Sequence, residues 1–221
     1  MTSVASIHEP VHIGQIVQDA AIFDFKNWRG DASVKISPMQ SLIVEVAELF
    51  ALLDSRQVDY LLVGDIAMLQ YVEGRNTKDI DLIVSSPELK RLPEVEIKSQ
   101  DDDFAQGYFK SLHVDFLLTR NLLFDKVKHR YATTQLFVEQ CIPCATEEGL
   151  LLLKLYALPG LYRRENFPRV GLYENDIATL LQSYHPQLEP LFSELSSYLS
   201  ESDLLSVRDI TAEIEKPSET F

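Results

Sequence analysis

Residues 79–84 read DIDLIV, and the alternation in that stretch restricts the fold more than any other feature of the chain. Side chains two apart in a strand share a face, so Asp79 and Asp81 point one way and Ile80 and Leu82 the other. A strand that buries one face and carries two carboxylates on the other needs a sheet to sit in. It also needs positive charge between the acids. A second stretch, HVDFLL, has the same design: Val114 and Phe116 alternate with Asp115, which follows His113 by two residues. If the two strands are neighbours, Asp79, Asp81 and Asp115 converge on one edge. Carboxylate oxygens are hard ligands that suit Mg2+ or Mn2+, and such a set can hold metal ions on the phosphates of a nucleotide. The competing interpretation is three solvent-facing acids on amphipathic strands.

The flanking sequence predicts what surrounds this strand. VDYLLVG reads as a strand closed by Gly64, and DIAMLQYVEG as a helix that Gly74 ends. A glycine at a strand end lets the backbone approach a phosphate, and the following helix N-terminus favours negative charge. Upstream, Ser37-Pro38 reads as a helix start, with helical spacing continuing to about Ser55. EVEIKS and HVDFLLT read as further strands, separated by the acidic loop Asp101-Asp102-Asp103. From Thr146 onward the pattern is helical: TEEGLLLLKLYAL, ENDIATLLQSY, QLEPLFSELSSYL and SDLLSVRDITAEIE. Thr146 followed by Glu147 and Glu148 suits a first turn. The expected fold is α+β: a small mixed sheet with flanking helices, then a helical C-terminal region. The expected divisions are an N-terminal arm (1–36), an α/β core (37–140) and the helical region (141–221).

Lys154 sits in a helix that is apolar almost all round, so its ammonium either reaches solvent or meets a counter-charge. A triphosphate is one such counter-charge. Asp176 reads as an acid in the first turn of the next helix, a position that the helix dipole favours.

The net charge of −14 argues against a surface that coats nucleic acid. Local basic clusters remain, at Lys110, Arg120, Lys126, Lys128 and Arg130, and again at Arg163, Arg164 and Arg169. No apolar run approaches the roughly 20 residues of a spanning helix. The first residues lack a basic region followed by an apolar core. A cytoplasmic protein is expected. Cys141 and Cys144 form a single C-I-P-C with no second pair and with the histidines scattered, so two ordinary thiols near a strand end are expected.

With these residues in place, the chain resembles the nucleotidyltransferase superfamily built on the polymerase-β-like core. Gly64, Asp79, Asp81 and Asp115 match that signature of a glycine turn, a helix, a D-x-D strand and a later acid. Arg75 and Thr77 ahead of Asp79 and Asp81 look more particularly like the AbiEii-type group, which includes toxins of type IV toxin–antitoxin systems. Lys154, then Arg163 or Arg164, then Asp176 continue that resemblance, which spans about residues 58–182. It implies catalytic roles for Asp79, Asp81, Asp115, Lys154 and Asp176, and a metal site at Asp79, Asp81 and Asp115. It also implies nucleotide contacts from Gly64, Asp65, Arg75, Thr77 and Lys154. The implied activity is Mg2+- or Mn2+-dependent transfer of a nucleoside monophosphate from a nucleoside triphosphate to an acceptor hydroxyl. The acceptor would be an RNA 3′ end such as that of tRNA, a protein side chain, or a small molecule such as an aminoglycoside. An antitoxin protein is the implied partner. The chain departs from the pattern at Asp65, where the family has glycine, serine or threonine. That departure motivates the alternative of a degenerate nucleotidyltransferase fold acting as a binding or regulatory module.

Overall fold

The computed structural model describes residues 38–71, 79–137 and 140–216. The expected N-terminal arm, Arg75 and Thr77 therefore lie outside the described residues. The elements are α1 (Pro38–Ser55), β1 (Tyr60–Val63), α2 (Gly64–Met68), β2 (Asp79–Val84), α3 (Ser86–Leu89), β3 (Val95–Gln100), β4 (Phe104–Phe109) and β5 (Leu112–Leu118), followed by α4 (Leu122–Arg130), β6 (Ala132–Phe137), β7 (Gln140–Ala145), α5 (Glu147–Arg163), α6 (Phe167–Tyr184), α7 (Leu188–Leu195) and α8 (Glu201–Glu215).

The strands form one mixed sheet in the order β3-β4-β5-β2-β1-β7-β6. β2 pairs in parallel with β5, and β1 with β7; the other pairings are antiparallel. This is the expected α+β architecture. Burial explains the order. β1 is buried along its whole length, and β2 is buried everywhere except at Asp79 and Asp81, so both belong in the middle. β3 is exposed after its first residue, as an edge strand can be.

Helix α1 buries Val46, Leu49, Phe50 and Leu53, an apolar stripe at helical spacing. The Phe50 ring stacks on Tyr60 and meets Phe137 edge-on, with centroids 6.0 and 5.2 Å away. These contacts tie α1 to strands β1 and β6. Helix α5 is capped as expected, with the Thr146 hydroxyl accepting from the Gly149 N–H at 3.3 Å. Among the described residues no helix is long and apolar enough to cross a membrane.

Four expectations are corrected. The segment after the acidic loop is a strand, β4. Its large residues Phe104 and Tyr108 face outward while Ala105 and Gly107 face inward, so its apolar pattern is inverted. Asp101 does make the turn, its Oδ1 accepting from the N–H groups of Asp103 and Phe104 at 2.9 and 2.7 Å. The sheet also runs past residue 140, because β7 lies between β1 and β6; the helical region starts at Glu147. The helix after Gly64 ends at Met68, Leu69–Tyr71 are turn, and the rest of its expected span lies outside the described residues. Finally, α6 begins at Phe167, with proline in its first turn, so Asp176 sits mid-helix rather than near an N-terminus.

Cys141 is exposed and Cys144 buried, and neither is in a disulfide. Burial pushes the Cys144 thiol up to about 12. A thiol that resists ionisation is a poor metal ligand or redox centre.

Candidate active site

The parallel β2–β5 register places Asp81 opposite Asp115 and Asp79 opposite His113. Val63, the last residue of β1, is opposite Asp81 on the other side. The chain then turns at Gly64 with φ of +69°, and a Cβ there would come within 2.0 Å of Asp81 Oδ2. Glycine is required for both reasons: the left-handed backbone and the space that the carboxylate occupies. The first turn of α2 follows, carrying Asp65.

Each acid has a different environment. Asp115 accepts a hydrogen bond from Gln106 Nε2 at 2.8 Å. His113 lies between the other two partners, with Nδ1 3.3 Å from Asp79 Oδ1 and Nε2 3.8 Å from Asp115 Oδ1. Asp81 is half-buried, and its carboxyl is pushed up to about 7. Burial is the largest cause, followed by repulsion from Asp115 and Asp65, while Lys154 and Arg169 pull the other way.

Of the three expected metal ligands, Asp81 and Asp115 are opposed, and Asp79 lies two residues along the same strand, opposite His113. Asp79 is at the exposed start of its strand, against His113. Among the described residues no three His, Cys, Asp or Glu side chains are gathered closely enough to hold a metal ion. The Asp81–Asp115 pair nevertheless fits a hard divalent cation by its chemistry: oxygen donors, with a mutual repulsion that a cation relieves.

Lys154 projects from α5 with its Nζ 2.6 Å from Asp176 Oδ2 on α6 and 3.7 Å from Asp65 Oδ1. Asp176 is fully buried and Lys154 nearly so. The ammonium also lies 4.4 Å from the centre of the Tyr173 ring, within range of a cation–π attraction. The buried lysine therefore has its counter-charge within the protein. Asp176 holds Lys154 beside the glycine turn; the geometry gives it a positioning task.

These groups open into a cleft of about 610 Å³. Gly64, Asp81, Gln106 and Asp115 form its floor, and Lys154, Tyr156, Arg163 and Arg164 come from α5. Arg169 and Tyr173 of α6 close one side, with the guanidinium 5.9 Å from the ring centre. Phe104, Phe124 and Tyr156 line another, in edge-to-face contact at 5.4 and 6.0 Å. Arg163 also pairs with Asp203 at the rim.

Sequence reasoning missed Gln106 and Tyr173, and it placed Arg169 only in a basic cluster. Gln106 belongs to the inverted strand β4, and recognising its period of two would have set it on the same face as Asp115. Tyr173 lies three residues before Asp176, so a helix begun at Phe167 puts both on the side facing Lys154. Arg75 and Thr77, expected at the nucleotide, lie outside the described residues.

No protein-family model matches the chain, and no curated protein matches it. Solved structures do. The chain is similar to ANT(2'')-Ia in complex with adenylyl-2''-tobramycin, at 11% identity over 76% of this chain and 98% of that one, with a TM-score of 0.51. It is similar to the solution structure of the same antibiotic-resistance factor, at 13% identity over 79% and 95% of the two chains, with a TM-score of 0.50. An antigenic nucleotidyltransferase-like protein from Paracoccidioides brasiliensis also matches, at 18% identity over 76% and 92%, with a TM-score of 0.48. At such identities the likeness is one of fold alone, the fold that ANT(2'')-Ia has.

The charges of this site make two predictions. Removing one partner of a buried ion pair strands the other, so Asp176→Leu should cost about 3 kcal/mol. The double variant Lys154→Met/Asp176→Leu should cost less than Asp176→Leu alone, as read by urea denaturation. The second concerns pH. Asp81 has a folded value of about 7 against an ordinary 3.8, so protonation favours the folded state. That contribution is fully present below pH 3.8 and is lost as pH rises through about 7. Asp81→Asn should therefore stabilise the metal-free protein most above pH 7, by roughly 1–2 kcal/mol or about 3–6 °C in Tm. Thermal melts in chelator should show the gain shrinking as the solution is acidified toward pH 4.

Proposed function

We propose that this protein is a nucleotidyltransferase that moves a nucleoside monophosphate from a nucleoside triphosphate to an acceptor hydroxyl. The observation that carries this reading is the opposed Asp81–Asp115 pair beside the left-handed Gly64 turn, facing a buried Lys154 across a cleft. Two acids for a metal, a glycine for close backbone approach and cations for a leaving group are the parts such a transfer needs. In a chain of net charge −14, Arg164 and Arg169 on one cleft, beside Lys154 paired with Asp176 and Arg163 paired with Asp203, favour a polyanionic ligand.

In this reading Asp81 and Asp115 would hold Mg2+ or Mn2+, with Asp79, on the same face of β2, as the third candidate ligand. The bound metal would polarise the α-phosphate and lower the pKa of the attacking hydroxyl. The acceptor oxygen forms a new bond to the α-phosphorus as the bond to the β-phosphate oxygen breaks. The hydroxyl proton passes to Asp115, and pyrophosphate leaves toward Lys154 and Arg169. Asp176 holds Lys154 in place for that role. The Gly64 turn and the start of α2 lie against the phosphates, and the aromatic wall of Phe104, Phe124 and Tyr156 borders the acceptor side.

The spacing of Arg75, Thr77, Asp79 and Asp81 supports a narrower placement among type IV toxins, with an antitoxin protein as partner and tRNA or a protein as acceptor. The complex of ANT(2'')-Ia with adenylyl-2''-tobramycin supports testing a small-molecule acceptor as well. One observation favours a second reading, a non-catalytic binding module: Asp65 stands at the phosphate end of the glycine turn, 3.7 Å from Lys154.

Purified protein with Mg2+ and each labelled nucleoside triphosphate should label tRNA, a protein substrate or an aminoglycoside. Asp81→Asn should lower that labelling by at least a hundredfold. Absence of any product with all four nucleotides, alongside Mg2+-dependent nucleotide binding, would establish the second reading instead. If the narrower placement holds, expression of the chain should arrest bacterial growth and Asp81→Asn should restore it, as followed by culture density.

A further inference from the structure

The edge of the sheet nearest Asp115 contains a feature that catalysis as set out above does not use. Strand β3 carries a register shift between Ile97 and Ser99, after which Ser99 pairs with Gln106 of β4. Gln106 in turn pairs with Asp115 of β5. The three side chains are joined across the strands: Ser99 Oγ donates to Gln106 Oε1 at 3.5 Å, and Gln106 Nε2 donates to Asp115 Oδ1 at 2.8 Å. Without the shift, strand parity would put a different β3 residue opposite Gln106.

The amide has two ends, and only its NH2 end can donate to a carboxylate. The acceptor-only carboxylate of Asp115 selects the orientation that points NH2 at it, and the Ser99 hydroxyl, free to donate, meets the oxygen end. One oxygen of Asp115 is thereby tied, which fixes the rotamer in which its other oxygen is presented. Carboxylates that ligate a metal are commonly oriented this way, and losing the orienting group weakens metal affinity by about 10- to 100-fold.

We propose that Gln106 is a positioning residue for the metal-binding carboxylate Asp115, and that Ser99, brought opposite it by the β3 bulge, steadies the Gln106 amide from its oxygen end. The inference rests on the reading of Asp81 and Asp115 as a divalent-cation site. It makes the edge strand part of the active site's support, although none of its residues lines the cleft.

The test is Mn2+ binding to the full chain without nucleotide, followed by electron paramagnetic resonance and calorimetry, with Tm recorded for each variant. Gln106→Met keeps the size but not the donor, and it should weaken Mn2+ binding by roughly tenfold or more while Tm changes little. Ser99→Ala should weaken it by a smaller factor, and Ser99→Thr, which keeps the hydroxyl, should bind like the parent. In the Gln106→Met background Ser99→Ala should have no further effect, since the relay is already cut. Asp81→Asn and Asp115→Asn serve as controls. Loss of Mn2+ in both controls with full affinity in Gln106→Met would overturn the positioning role alone. A parent protein that binds no Mn2+, or controls that bind as well as the parent, would overturn the cation site and this inference with it.

Discussion

Asp81 and Asp115 face each other across a parallel strand pair at the centre of the sheet, and the repulsion between them conditions what can surround them. A one-residue slip of either strand would turn that strand's apolar face away from the core, so the register that opposes the two acids is fixed. The elements nearby respond to that fixed pair. Gly64 yields the space that a side chain would take from Asp81. Gln106 ties one oxygen of Asp115, and Lys154 and Arg169 bring positive charge from the helical half. The C-terminal helices supply the charge that the sheet lacks, so neither half makes a usable site alone.

Lys154 shows how much burial decides. Beside a carboxylate at 2.6 Å that is fully buried, the ammonium is part of the internal structure, and the pair α5–α6 is locked by it. A buried pair of this kind adds little net stability relative to apolar residues, yet it is costly to break. Its value is positional: a flexible surface lysine would contribute charge to the cleft but no fixed direction. The Tyr173 ring, 4.4 Å from the ammonium, adds a third wall that limits where Nζ can go.

Strand parity made β2 and β5 readable in advance, together with the face that Asp79, Asp81 and Asp115 share, because strong alternation survives without tertiary information. β4 was not readable. Phe104 and Tyr108 point outward while Ala105 and Gly107 share the inner face with Phe109, so hydrophobicity reports the wrong face over most of its length. The neighbourhood of Asp79 was also beyond the sequence: parity predicts its face, but not that His113 sits opposite, 3.3 Å from its carboxylate. Asp176 was found as a residue and misplaced as a helix terminus. Its helix starts earlier, at Phe167, and a carboxylate that looked dipole-stabilised is instead stabilised by Lys154. The charge that was expected of a ligand was already present in the chain.

Asp65 is where the two readings of this protein part, and its electrostatics can be weighed. It lies 3.7 Å from Lys154 and is 42% exposed in its side chain, so solvent screens it and the pair is worth at most about 1 kcal/mol. The nearer, buried Asp176 has already neutralised Lys154. An incoming polyphosphate therefore meets Lys154–Asp176 as a near-neutral pair, Asp65 as a screened negative charge, and Arg163, Arg164 and Arg169 as positive ones. Arg163 is partly taken by Asp203, which leaves Arg164 and Arg169 as the main attraction. Under the proposed reading, a balance of that kind would weaken nucleotide affinity without abolishing it. A bound divalent cation would then contribute more than in a site with a neutral glycine turn, because it would offset Asp65 as well as Asp81 and Asp115. Metal and nucleotide would bind as coupled ligands here, each supplying what the other's site lacks.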